Sequence, residues 1–222
     1  SLKLDFDAIE KLSNTSAGNG VYYNHSVQEV YGIGDTFDTT GLNVTVVGKL
    51  GDTTKESLLD SKVEYSGFDS STAGTKTITV TYNYGENLKH TETFDVHVVA
   101  TAPSKVNDVY QVQVDDDYKG EIGAVVNNYN TFSSVQQALD YLESRDEITG
   151  NDQKLIYINA GLYEEKLEIE ISNLTIKGAG KDDVTIEWDS LYGVYDGGGF
   201  SHTTDSTQTV AVRESAINCR ME

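Results

Sequence analysis

The chain has 222 residues, with 36 acidic against 16 basic side chains and a formal net charge of −20. That surplus excludes a nucleic-acid partner, whose phosphates need Lys and Arg, and it disfavours docking on an anionic membrane. A single cysteine, Cys219, excludes an intrachain disulfide and a cysteine-based zinc site, and no run nears the roughly 20 apolar residues of a membrane span.

Residues 1–26 read as a leader or linker. Phe6, Ile9 and Leu12 suit one short helical turn, and SNTSAGNG (13–20) is loop by composition. The Asn-x-Ser/Thr sites at Asn14, Asn24, Asn43 and Asn173 read as chance matches in a Ser/Thr-rich chain.

Residues 27–99 carry a strand pattern throughout. Leu42, Val44 and Val46 alternate, as do Ile78, Val80 and Tyr82, and then Phe94, Val96 and Val98. This is period 2, the mark of half-buried strands. Turn signals at Gly34-Asp35, Gly51-Asp52 and residues 84–87 separate them. About seven short strands in such a span predict a β-sandwich. The segments YGIGDTFDTTGLNVTVV (31–47), YSGFDSSTAGTKTITVTY (65–82) and TFDVHVV (93–99) resemble a bacterial Ig-like domain of group 3. The resemblance implies a spacer or adhesion module on a secreted bacterial protein.

Residues 100–108 hold the only proline, Pro103, and read as a linker. VYQVQV (109–114) is a further strand, followed by Asp115, Asp116 and Asp117. TFSSVQQALDYLES (131–144) is the one amphipathic helix, expected over about 133–144. Ser133 is placed to N-cap it, with Gln136 completing a capping box. Val135, Ala138, Leu139 and Leu142 share one face, so the helix suits the end of a β-stack that needs a cover.

The segment KLIYINAGLYEEKLEIEISNLTIKGAG (154–180) then supplies short alternating strands. Leu167, Ile169 and Ile171 claim one face, and Leu174 and Ile176 lead into Gly178 and Gly180. Val184, Ile186 and Trp188 follow, and Val210, Val212 and Ile217 are the last apolar rungs. Short strands punctuated by Gly and Asn, at about 20–25 residues per return, predict coils of a parallel β-helix. The fold expected is all-β: an Ig-like β-sandwich (27–99), a linker (100–108) and the N-terminal coils of a right-handed parallel β-helix (109–222) with one short capping helix.

Residues 129–222 resemble pectinesterases (pectin methylesterases). The motifs are Thr131-Phe132 with Ser134-Val135-Gln136 and Ala138; Tyr157-Ile158, Gly161, Tyr163, Glu165-Lys166 and Ile169; Asn173, Thr175, Gly178 and Gly180; and Thr203-Thr204 with Thr209-Val210-Ala211-Val212. The resemblance implies a carboxylic-ester hydrolase acting on methylated galacturonate in pectin, without cofactor or metal. One aspartate attacks the ester and a second serves as acid and base, with glutamines and an arginine in support. None of these catalytic residues matches a position here, so the chain alone is expected to be inactive, as the N-terminal fragment of a secreted or cell-surface bacterial enzyme. One substrate contact does carry over, to Thr204 with Thr203 beside it.

No substitute site emerges from the sequence. Glu168 and Glu170 share a strand face but are expected to point to solvent, opposite Leu167, Ile169 and Ile171. The three aspartates lack the Gly and Glu of an EF-hand loop and read as a solvated run. His25, His90, His97 and His202 have no metal spacing. Cys219 reads as a packed thiol. Gly197, Gly198 and Gly199 lack the Lys-Ser/Thr of a phosphate loop. Tyr192, Tyr195 and Phe200 are placed to form an aromatic patch, with loop packing as the blander role. The alternative to an enzyme fragment is a non-catalytic carbohydrate-binding or cell-surface spacer module. A pectate-lyase-like β-helix is a further one, though its calcium-binding acids have no match. Expected partners are pectin or a related plant polysaccharide, with no nucleic acid and no membrane insertion. Self-association through the open end of the β-helix is also expected.

Overall fold

The computed structural model describes residues 3–5, 14–15, 22–23, 28–39, 43–47, 53–57, 63–85, 88–187, 209–212 and 216–222. These are mostly β-strand with one short helix.

The first part begins with β1 (Lys3–Asp5) and a small pair, β2 (Asn14–Thr15) and β3 (Tyr22–Tyr23). It continues through β4 (Val30–Gly32), β5 (Asn43–Val47), β6 (Thr53–Ser57), β7 (Val63–Ser66), β8 (Gly74–Gly85) and β9 (Leu88–Val99). Two sheets result, β1-β5-β6 and β4-β9-β8-β7. In the second sheet Ile78, Val80, Val96 and Val98 are buried, as their period-2 spacing predicts. His97 lies on the opposite face, half-buried, with Nδ1 3.2 Å from Thr75 Oγ1. Phe37 is buried and its ring meets those of Tyr31, Tyr65 and Phe68 within 6 Å, closing one end of the core. Leu42, Trp188 and the side chains of Val44, Val46 and Tyr82 lie outside the described set, as do Phe6, Ile9 and Leu12.

The second part runs through β10 (Lys105–Val106), β11 (Val109–Val114), β12 (Val125–Val126), β13 (Tyr129–Phe132), α1 (Val135–Glu143) and β14 (Gln153–Ile158). Then come β15 (Gly161–Glu164), β16 (Leu167–Ile169), β17 (Leu174–Gly178), β18 (Val184–Glu187), β19 (Val210–Val212) and β20 (Arg220–Met221). Two hairpins, β10-β11 and β12-β13, are antiparallel. Their two-residue turns, Asn107-Asp108 and Asn127-Asn128, all have positive φ. That is the backbone of the type I′ turn, which Asn and Asp tolerate. Every other pairing in this part is parallel: β13-β11-β14-β17-β20, β15-β18 and β16-β19. Lys154 pairs with Leu174 and Gly161 with Val184, a return of about 20 residues. The next return, Leu167 to Val210 and Thr175 to Arg220, is longer.

The core of this part combines Val112, Val114, Phe132, Ile156, Ile158, Leu167, Ile169, Leu174 and Ile176 with Val135, Ala138, Leu139 and Leu142 of α1. Each fully buried Leu or Ile contributes about 1.5–3 kcal/mol. Val30 and Val99 of the first part belong to the same core.

Four sequence expectations need correction. The helix begins one residue later than predicted. Ser134, not Ser133, is its N-cap, and its Oγ accepts from Gln137 N at 3.1 Å. Gln137, not Gln136, is the glutamine that reaches back, accepting from Ser133 N and Ser133 Oγ just ahead of the cap. This frees Gln136 to bridge Glu168 N and Asp140.

Glu168 does not face solvent. It is buried because α1 packs over the outer side of β16, so both faces of that strand are covered. Neither Gly178 nor Gly180 has positive φ; the left-handed residues before β17 and β20 are Asn173 and Asn218. Asn218 Nδ2 donates to Asn173 Oδ1 at 2.6 Å, and Asn173 Nδ2 donates to Gly150 O, so the corners are stacked amides. Finally, Val212 and Ile217 do not fill the core as the last apolar rungs: they are 55 % and 65 % exposed, and Ala211 is the buried residue of β19.

Candidate functional site

Three polar constellations organise the described residues. The first anchors the helix. Its N-terminal N–H groups lack intrahelical acceptors, and the buried Glu165 supplies two: Val135 N at 2.8 Å and Gln136 N at 2.9 Å. A carboxylate is also favoured there by the helix dipole. Opposite, the buried Lys154 Nζ donates to Thr149 O, Asp152 O and Ser172 O at 2.7–2.9 Å. Burial lowers its pKa, and the Asp152 charge opposes that shift. Both groups hold scaffold together.

The second constellation joins the two parts of the chain. Glu29 N donates to Asp140 Oδ2 at 2.7 Å, and Gln137 Nε2 donates to Glu29 Oε2 at 3.2 Å. Arg145 lies over the Tyr141 ring at 4.3 Å and donates to Val99 O at 2.7 Å; Tyr141 Oη donates to Thr101 O at 2.7 Å.

Beside this junction opens a cleft of about 550 Å³. Asp35 and Asp38 line it from the first part, Asp140, Glu143 and Asp146 from the helix and its end, and Glu168 and Glu170 from β16 and beyond. Glu143 has its pKa pushed up to about 7 by burial of the carboxyl, then by the charges of Glu170, Glu168 and Asp38. The residue as a whole remains solvent-accessible, so water screens part of that effect. A raised carboxyl in a cleft is a pattern of acid catalysis. Here, however, no Lys, Arg or His lines the cleft, and among the described residues no three His, Cys, Asp or Glu side chains are grouped to hold a metal ion.

The third is the outward face of the long parallel sheet. Burial alternates along β11 and β14, with Gln111, Gln113, Leu155 and Tyr157 on the outer side. Register aligns Thr131, Gln113, Tyr157 and Lys177 in one row across four strands. Gln111, Leu155, Thr175 and Arg220 form the next.

The predicted substrate contacts, Thr203 and Thr204, lie outside the described residues. So do Gly197, Gly198, Gly199, Tyr192, Tyr195, Phe200, His25, His202 and the His90 side chain. Asp115 and Asp116 are not simply solvated. Asp115 accepts from Asp117 N and Asn159 Nδ2, and Asp116 accepts from Leu162 N. A Cβ on Gly161 would lie 2.5 Å from Asp116 Oδ1, which accounts for the glycine of that motif. Cys219 is half-buried, its Sγ 3.3 Å from Ile171 O. Sequence reading missed the helix-anchoring part of Glu165 and the caged Lys154. The only available signal was their placement beside buried apolar positions.

Residues 28–98 match the bacterial Ig-like domain (group 3) family, and this part of the chain is such a domain. The chain is also 48 % identical over 75 residues, 32 % of its length, to an exo-beta-1,6-galactobiohydrolase of Bifidobacterium longum subsp. longum. It is 33 % identical over 103 residues, 45 % of its length, to probable pectinesterase 29 of Arabidopsis thaliana. The matches span 5 % and 27 % of those two proteins.

Proposed function

We propose that the chain is the front part of a secreted or cell-surface bacterial pectinesterase, in which the Ig-like domain docks on the capped first coils of a right-handed parallel β-helix. One observation carries this reading. The strands of residues 153–221 return in chain order to stack in parallel, β14-β17-β20, β15-β18 and β16-β19, over the segment whose motifs resemble that family. The partial identity to a probable pectinesterase and to a galactobiohydrolase supports a carbohydrate-related role.

On this reading the 222 residues contribute scaffold and polysaccharide contact, with Thr204 and Thr203 touching the sugar chain. The ester-cleaving aspartates, glutamines and arginine of the family are not among them. The open end, with exposed Val212, Ile217 and Met221, associates with a second copy when left uncovered. The alternative is a non-catalytic binding or spacer module. It is favoured by the structural employment of Glu165, Lys154, Asp115 and Asp116.

Methanol release from methyl-esterified pectin and pull-down on insoluble pectin test this together. The expected outcome is that pectin is bound and that no methanol appears above buffer. Turnover by the 222-residue chain would place an active site within it. Failure to bind pectin in either esterified or de-esterified form would remove the carbohydrate reading.

A further inference from the structure

The junction between the Ig-like domain and the helix is bonded on one side and open on the other. On the bonded side Val30 and Val99 share the core that α1 covers. Glu29 N donates to Asp140 and Gln137 Nε2 to Glu29, while Tyr141 and Arg145 donate to Thr101 O and Val99 O. The chain also passes from one part to the other just after Val99. These contacts form a pivot.

On the open side lies the cleft of about 550 Å³. The loop after β4 brings Asp35 and Asp38 to one wall, and Glu143, Glu168 and Glu170 stand on the other. Asp140 and Asp146 line it as well, and no Lys, Arg or His is among its described lining residues. The Arg145 guanidinium is turned to Val99 O and the Tyr141 ring instead. Tyr31 and Tyr141 stay neutral beside the junction, because burial pushes both hydroxyls far above their usual range.

We propose that this cleft makes the junction a pH-sensitive joint: the Ig-like domain closes on the helix in mild acid and swings away about the pivot as the facing carboxylates ionise. Burial, followed by the charges of Glu170, Glu168 and Asp38, pushes the Glu143 carboxyl up to about 7. The Asp38 share of that shift exists only while the two walls face each other. Closing the cleft therefore takes up a proton, so closure is favoured in acid and is lost as pH rises through 7. Water reaches Glu143 and screens part of the effect, and the pivot contacts remain. The outcome is a change of posture and not separation of the two parts. This concerns the setting of the Ig-like domain and holds whatever ligand the β-helix part takes.

The test is a spin-label distance measurement on the full 222-residue chain, in chelator-containing buffer, at pH 5 and pH 8. Cys219, the only cysteine, is replaced by Ser, and labels are placed at Ala73→Cys and Asn151→Cys, exposed sites on the two parts. The distance distribution is expected to shift and broaden at pH 8, and raising salt at pH 8 should return it toward the pH 5 form. Glu143→Gln should lose the shift and Asp38→Asn should reduce it, while Glu64→Gln, on the exposed face of β7, keeps it. Circular dichroism reports whether each variant is folded, and Asp38→Asn, on an exposed loop site, carries the test if Glu143→Gln does not fold. Identical distributions at the two pH values would overturn the joint. So would a shift that Glu143→Gln and Asp38→Asn both leave unchanged, or one that Glu64→Gln abolishes equally.

Discussion

Removing the Glu165 carboxylate isolates the contribution of the helix anchor. In Glu165→Ala the N–H groups of Val135 and Gln136 lose acceptors at 2.8 and 2.9 Å. Each buried donor left unsatisfied costs about 1–3 kcal/mol, and bonds to a charged acceptor lie toward the upper end. The helix-dipole contribution adds about 0.3–1 kcal/mol. Against this, the variant no longer desolvates a carboxylate, which offsets part of the loss. The net expected is about 3 kcal/mol. Glu165→Gln, which keeps one acceptor oxygen but not the charge, loses about half of that. Glu164 is exposed on the preceding position, so Glu164→Ala should stay within about 0.5 kcal/mol. Urea titration of the three variants gives the stability order. Hydrogen exchange at Val135 and Gln136 locates the change, since those two amides lose protection first. If Glu165→Ala and Glu164→Ala unfold at the same urea concentration, Glu165 does not hold the helix and the reasoning is wrong.

Lys154→Met leaves Thr149 O, Asp152 O and Ser172 O without their shared donor and costs about 2–4 kcal/mol, measured by the same titration; an unchanged midpoint would refute the cage. Glu143 has a folded pKa of about 7, above its unfolded value. The stability it contributes is therefore complete below about pH 4.5 and is lost as pH rises through 7. Wild type should weaken between pH 5 and pH 8 more than Glu143→Gln does, and parallel curves would contradict this. At the open end, Val212→Lys with Met221→Lys should suppress concentration-dependent sedimentation. A wild type that sediments as a monomer at every concentration would remove the association.

Period 2 made buried positions of β8 and β9 legible, because alternation reports a strand with one covered face. It failed at β16. There Glu168 sits on the face opposite Leu167 and Ile169, yet it is buried. The cause is tertiary: α1 covers the outer side, and Gln136 Oε1 accepts from Glu168 N at 2.9 Å. No local pattern announces which strand a helix will cover. The cap was missed for a related reason. Ser133 and Ser134 are chemically equivalent, and Gln136 and Gln137 likewise. The choice between them is made by Glu165, thirty residues from Val135, which fixes where the first helical N–H groups point.

The same long-range logic bears on the family motifs. Glu165 holds the helix, Gly161 admits Asp116, and Asn173 stacks under Asn218. These motif residues are thus spent on closing one coil against a helix and against the next coil. A motif of this kind identifies an architecture without identifying a reaction.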